Sequence, residues 1–156
     1  MRRPQGFQRF VELNGFRGLI LIASQEGALV RIVSSNEPKG RFSKFKSDST
    51  APVELMRLWW LAGIPVARRI ENAFAVHFGQ SKRQDGWFEV SVAQAASFVE
   101  QAARDFGTWA IDEGSMIARM DHKSRLETKA PIHAPSPLRG LRTPEFRCGR
   151  HQSVAA

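Results

Sequence analysis

Apolar and polar positions fall into blocks along the chain, and the first strong block frames the rest. Leu19 to Ala23 is an unbroken apolar run, a tight polar turn ends in Gly27, and Leu29 to Ser34 is a second apolar-leaning run. This pattern predicts two paired strands. Ser35 or Asn36 then opens a short helix with Pro38 in its first turn, where the missing N–H of proline costs nothing. Phe42 and Phe45 fall three apart and can pack on the sheet, while Lys39, Lys44 and Lys46 stay outside. The helix, which also carries Arg41, therefore has one apolar and one strongly cationic face.

Ser47 to Pro52 reads as a loop. Val53 to Leu61, apolar on both sides, predicts a third strand that is not an exposed edge. Gly63-Ile64-Pro65 turns the chain into a helix from about Pro65 to Phe78, with Val66, Ile70, Phe74 and Phe78 four apart on one stripe and Glu71 off it beside Arg68 and Arg69. Gly79 to Gly86 is a basic loop containing Lys82 and Arg83, and Trp87 to Val90 a short strand-like plug. Ser91 caps a helix over Val92 to Asp105, which Gly107 stops. The ends read as arms: residues 1–17 as a basic N-terminal arm, flexible over Met1 to Arg9, and residues 108–156 as a basic disordered tail. Within the latter, Thr108 to Met120 adds at most a partial turn of helix. The expected architecture is a small α/β domain over residues 18–107, a three-stranded, mainly antiparallel sheet flanked by helices.

Composition narrows the function classes. A chain of 156 residues with 42% apolar content buries one modest core. A formal net charge of +8 implies a polyanionic partner, nucleic acid first and an anionic membrane surface as its rival; the bland alternative is an arginine-rich composition without a partner. The lone Cys148 permits no internal disulfide, and no Cys/His spacing suits structural zinc, so a reducing cytoplasmic setting is the default. The start of the chain lacks the apolar segment of a signal peptide. The longest apolar-leaning run, Leu55 to Val66, is broken by Arg57, Gly63 and Pro65, so no membrane span is expected. Neither a G-x-S-x-G elbow nor a phosphate-cradling glycine loop occurs.

The order of these elements resembles the GIY-YIG nuclease superfamily, closest to its short phage and bacterial branch. Gly18-Leu19-Ile20 matches the first signature strand and Arg31-Ile32-Val33 the second. Asn36 and Pro38 fall in the helix-start segment, Arg41 at the helix arginine, Glu71 on the helix of the metal-holding glutamate and Gly86-Trp87-Phe88 on the closing G-x-W-F-like element. The resemblance covers Gly18 to Gln101. It implies a phosphate held by Arg41, a divalent ion, Mg²⁺ or Mn²⁺, held by Glu71, and DNA as the partner. The chain departs from the pattern in having no tyrosine, with Ile20 and Arg31 at the two tyrosine positions and Val33 at the second signature glycine. Ile20 cannot transfer a proton, and arginine has no use as a base at neutral pH.

Two functions follow as expectations. One is nucleic-acid binding through Arg31, Lys39, Arg41, Lys44 and Lys46, helped by Lys82 and Arg83. The other is a divergent metal-dependent endonuclease in which Arg41 and Glu71 still act. A protein-interaction module without nucleic acid is the third. Glu71 pairs equally well with Arg68 or a lysine as with a metal, and His77, six residues on, points away around the helix. Trp59, Trp60 and Trp87 invite base stacking, but their apolar settings favour the core.

Overall fold

The segment Arg17–Ser24 (β1) is buried without a break from Gly18 to Ala23, and the other elements are arranged to cover it. In the computed structural model, which describes residues 2–24, 29–83 and 85–129, β1 pairs antiparallel with Leu29–Ser35 (β2) on one side and with Val53–Leu61 (β3) on the other. Two short strands extend the sheet. Phe88–Glu89 (β4) pairs with Leu29 and Val30, and Ala110–Ile111 (β5) pairs with Trp60 and Leu61, giving the order β4-β2-β1-β3-β5. The five-stranded antiparallel sheet replaces the expected three strands. Two-residue strands are too short to show alternation in sequence, and pairing partners alone define them.

Each face of the sheet carries its own helices. Leu19, Leu21 and Ala23 face Ile64–His77 (α3) and Val92–Asp105 (α4), which contribute Ala67, Ile70, Phe74, Ala95 and Val99 to the larger core. Ile20 and Ile22 face the opposite way, toward Phe42 and Phe45 of Pro38–Asp48 (α2). Glu37 precedes α2 with no side-chain cap, and Ser35 Oγ accepts from the Glu37 N–H instead. The start of α2 lies directly on β1: a Cβ at Gly18 would sit 2.6 Å from Pro38 Cγ, so only glycine admits the helix there. Ser91 caps α4 in a reciprocal box with Gln94, as its sequence requires.

The N-terminal segment is not a free arm. Phe7–Leu13 (α1) is a helix whose Phe7 and Val11, one turn apart, are fully buried against Trp60 and Met116. Nor is the whole C-terminal segment a tail. Glu113–Lys129 (α5) is a helix that starts where the Asp112 carboxylate accepts from the Ser115 N–H at 2.7 Å. Its Met116, Ile117 and Met120 pack into the same cluster as α1. Residues 130–156 of the expected tail lie outside the described residues. Trp59 and Trp60 are core residues, at 4% and 0% exposure, as their apolar setting implies. No helix is long and apolar enough to cross a membrane among the described residues.

The docking of α1 is open to a direct check. Phe7→Ala removes a buried ring that meets Trp60 edge-on at 5.5 Å and is expected to cost about 3–5 kcal/mol in chemical denaturation. A change within about 0.5 kcal/mol, the range of exposed positions, would return this segment to a flexible arm.

Candidate nucleic-acid interface

Helix α2 decides where the positive charge goes. With Phe42 and Phe45 turned onto the sheet, Arg41, Lys44 and Lys46 are exposed, and among the described residues none of the three has an ion-pair or hydrogen-bond partner for its side chain. The segment holds four basic residues against the single Asp48. By contrast α4, on the far face, holds Arg104 against Glu100 and Asp105. From Arg41 to Lys46 the outer surface of α2 is thus a cationic strip with no counter-charge paired to it among the described residues.

Two of the expected phosphate contacts are already engaged. Lys39 Nζ lies 2.6 Å from Glu113 Oε1, while Arg3 approaches Glu113 Oε2 through Nε at 3.0 Å and Nη2 at 2.8 Å. The Arg3 guanidinium also lies over the Phe7 and Trp60 rings. One carboxylate therefore joins the N-terminal segment, α2 and α5. Burial alone would raise the Glu113 carboxyl, but the hydrogen bonds and charges of Arg3 and Lys39 outweigh it and hold it below its ordinary value. Arg31, opposite Ile22 and hence on the α2 face, is not a plain exposed strand residue. Its guanidinium lies 5.3 Å over the Phe45 ring, donates to the Asp85 carbonyl at 3.4 Å and packs against Gly86, where a Cβ would sit 3.6 Å from Cζ. Stacked on a ring and braced by backbone, it is a pre-oriented cation.

Lys82 and Arg83 lie in the loop before β4, both exposed. Arg83 makes a long, exposed pair with Glu89 at 3.7 Å, and its N–H donates to the Trp87 carbonyl at 2.7 Å. Trp87 is half-buried and meets Phe45 edge-on at 5.8 Å, which brings this loop to the C-terminal end of α2.

Glu71 belongs to the other face. It approaches from α3, where its Oε1 accepts from the Ser34 N–H at 2.9 Å and its Oε2 from the Ser34 hydroxyl at 3.2 Å. Ser34 lies past the stretch of β2 that β4 pairs, so Glu71 satisfies a backbone donor near a strand edge. It pairs neither with Arg68 nor with a lysine, and no hydrogen bond or ion pair joins it to Arg41 among the described residues. The helices bearing Arg41 and Glu71 sit on opposite faces of the sheet. A divalent ion would find at Glu71 a single carboxylate with both oxygens already accepting, and no cluster of three or more His, Cys, Asp or Glu side chains gathers among the described residues. As they stand, these residues do not form its ligand set. His77, at the exposed end of α3, stacks on Phe98 at 4.8 Å, away from Glu71.

Comparison with family models, with curated proteins and with solved structures finds no match for the chain.

Two side chains can be tested for the roles the geometry gives them. Glu113→Gln is expected to lower stability at neutral pH by about 1–3 kcal/mol, the scale of losing charged hydrogen-bond partners. Because the folded carboxyl is held low, the stability it contributes is present above its ordinary value of 4.5 and is lost as pH falls through the lowered folded value. Denaturation curves of variant and parent should therefore converge in acid, and a gap independent of pH would refute the lock. Glu71→Ala should cost about 1–3 kcal/mol by stranding the Ser34 N–H, and Glu71→Gln, which keeps an acceptor, clearly less.

Proposed function

We propose that this protein binds nucleic acid, with DNA the expected form, by laying the phosphate backbone along the outer face of α2. The observation that carries this reading is the strip Arg41, Lys44 and Lys46, exposed and without a paired counter-charge among the described residues, on a helix anchored by Phe42 and Phe45. Positions three apart on a helix are neighbours on its surface, so Arg41 and Lys44 can meet adjacent phosphates. Arg31, fixed over Phe45, extends the strip with a guanidinium able to grip a phosphate by two parallel hydrogen bonds. Lys39 sits at the other end and is shared with Glu113. The overall charge of +8 adds long-range attraction. The GIY-YIG resemblance points the same way, since it assigns the helix arginine to phosphate.

Backbone phosphate contact makes affinity fall with salt, because neutralised phosphates release counterions. A mobility shift at several salt concentrations should give a steep log–log slope for the parent. Arg41→Ala/Lys44→Ala/Lys46→Ala should weaken binding alike on all sequences and flatten the slope by about 2–3 on duplex or single strands. Binding that is weak and unaffected by salt would overturn the proposal in favour of an interaction module. The same samples on supercoiled plasmid with Mg²⁺ or Mn²⁺, beside EDTA, test the endonuclease expectation: metal-dependent nicking that Arg41→Ala abolishes would establish hydrolysis.

A further inference from the structure

At the C-terminal end of α2 the surface changes character. A cavity of about 740 Å³ opens there, within the size range of small-molecule sites, roughly 300–1,000 Å³. Its walls carry three carboxylates, Asp48 at the last position of α2, Asp85 and Glu89, together with the Trp87 indole. Ser24 lines the same wall, and its hydroxyl is buried behind it with no hydrogen-bond partner among the described residues. Asp85 also fixes the loop backbone beside the ring, because its Oδ1 accepts from the Trp87 backbone N–H at 3.3 Å while its carbonyl receives Arg31. Arg83 is the one cation among the described wall residues, and its pairing with Glu89 is long and exposed.

Ionised carboxylates only accept hydrogen bonds, and the carbonyl end of α2 adds negative potential on the same side. Such a cavity repels phosphate, although the helix whose outer face carries the cationic strip ends in its wall at Asp48. A ligand that suits both must be anionic along its length and carry flat, donor-bearing groups. We propose that the cavity receives an unstacked nucleobase from a single strand whose phosphates lie on α2, with the base against Trp87 and its donors on Asp85 and Glu89. This rests on the phosphate-binding reading of α2. The acceptor lining also ranks the bases. Guanine presents two adjacent donors, N1–H and the N2 amino group, that match one carboxylate; thymine and uracil present a single donor between two carbonyl oxygens, which the carboxylates disfavour. A base inside a duplex cannot reach such a cavity without leaving its stack, so single strands should bind in preference to duplex.

Uncharged nucleosides test the cavity apart from the strip. Full-length protein labelled with ¹⁵N is titrated with guanosine and, separately, with thymidine. Guanosine should shift the Trp87 indole and the Ser49, Asp85 and Glu89 amides, with thymidine binding roughly tenfold more weakly, the scale of a good base contact. Asp85→Asn/Glu89→Gln keeps the acceptor that holds Trp87 and should abolish that difference; Trp87→Phe, which keeps a ring, should weaken both nucleosides. Shifts absent or spread elsewhere at the solubility limit would overturn the cavity assignment, whatever the strip does. With single-stranded oligothymidine carrying or lacking one guanine, the cavity variant should lose the guanine preference and keep its salt slope. The α2 triple variant should lose affinity for both strands. Nucleoside shifts at the cavity with no oligonucleotide binding would overturn the phosphate reading and, with it, the single-strand proposal.

Discussion

The structure depends on the burial of β1 from both sides. Leu19, Leu21 and Ala23 need cover on one face, and Ile20 and Ile22 on the other, so a strand of this kind cannot exist in a two-layer domain with one wet face. The sheet must be sandwiched. The consequence for function lies in the asymmetry of the two covers. On one face α3 and α4 meet the sheet through alanines and large apolar side chains and carry little net charge. On the other, α2 is held by Phe42 and Phe45 and by close approach of Pro38 to Gly18, so a helix with four cations can lie flat on the sheet with its charged side outward. Burial of apolar surface at about 25 cal/mol per Å² orients the charges, whose mutual repulsion would otherwise disfavour one helix carrying them all.

Glu113 deals with part of that repulsion. A side chain only 13% exposed between two cations is stable as an anion because both cations donate to it. In doing so it ties α5 and the N-terminal segment to the first turn of α2, beside the cluster of Phe7, Val11, Trp60 and Met116. Polar and apolar contacts reinforce one another at this corner. Among the described residues no carboxylate pairs with Arg41, Lys44 or Lys46 in the same way.

Sequence periodicity reveals elements in proportion to how many residues repeat it. The hairpin, α2, β3, α3 and α4 each span enough positions for a period to emerge, and Ser91 with Gln94 marks the start of α4 unambiguously. The α3 stripe is turned slightly, with Ala67, Ile70 and Phe74 fully buried and Val66 and Phe78 only partly. Helix α1 rests on two buried residues, and α5 on Met116, Ile117 and Met120 followed by exposed positions. Such sparse patterns look like solvated arms until their tertiary partners are known. The Phe7–Val11 spacing and the Asp112–Ser115 cap were the signals available. For the site, residue type was legible and engagement was not. That Lys39 is taken by a residue 74 positions away, and Glu71 by Ser34 at a separation of 37, has no local signature.

The two positions at which the GIY-YIG resemblance would place tyrosines have settings in the fold that suit the residues present. Ile20 is fully buried between β1's neighbours and the α2 phenylalanines, a setting in which an isoleucine packs well and a hydroxyl would need a partner to offset its lost hydration. Arg31, at the other position, is oriented by a ring and by backbone, which suits holding an anion and not moving a proton. Binding a phosphate backbone asks only for cations without counter-charge on a rigid helix. Hydrolysis asks in addition for a group that takes a proton and for charge stabilisation at the same phosphorus. The first requirement is met on one face of the sheet by residues of a single element. For the second, the GIY-YIG resemblance would look to Glu71, whose carboxylate already accepts from Ser34 of β2. Under the proposed function the two demands therefore separate, and the outer face of α2 would carry the binding independently of whether any chemistry accompanies it.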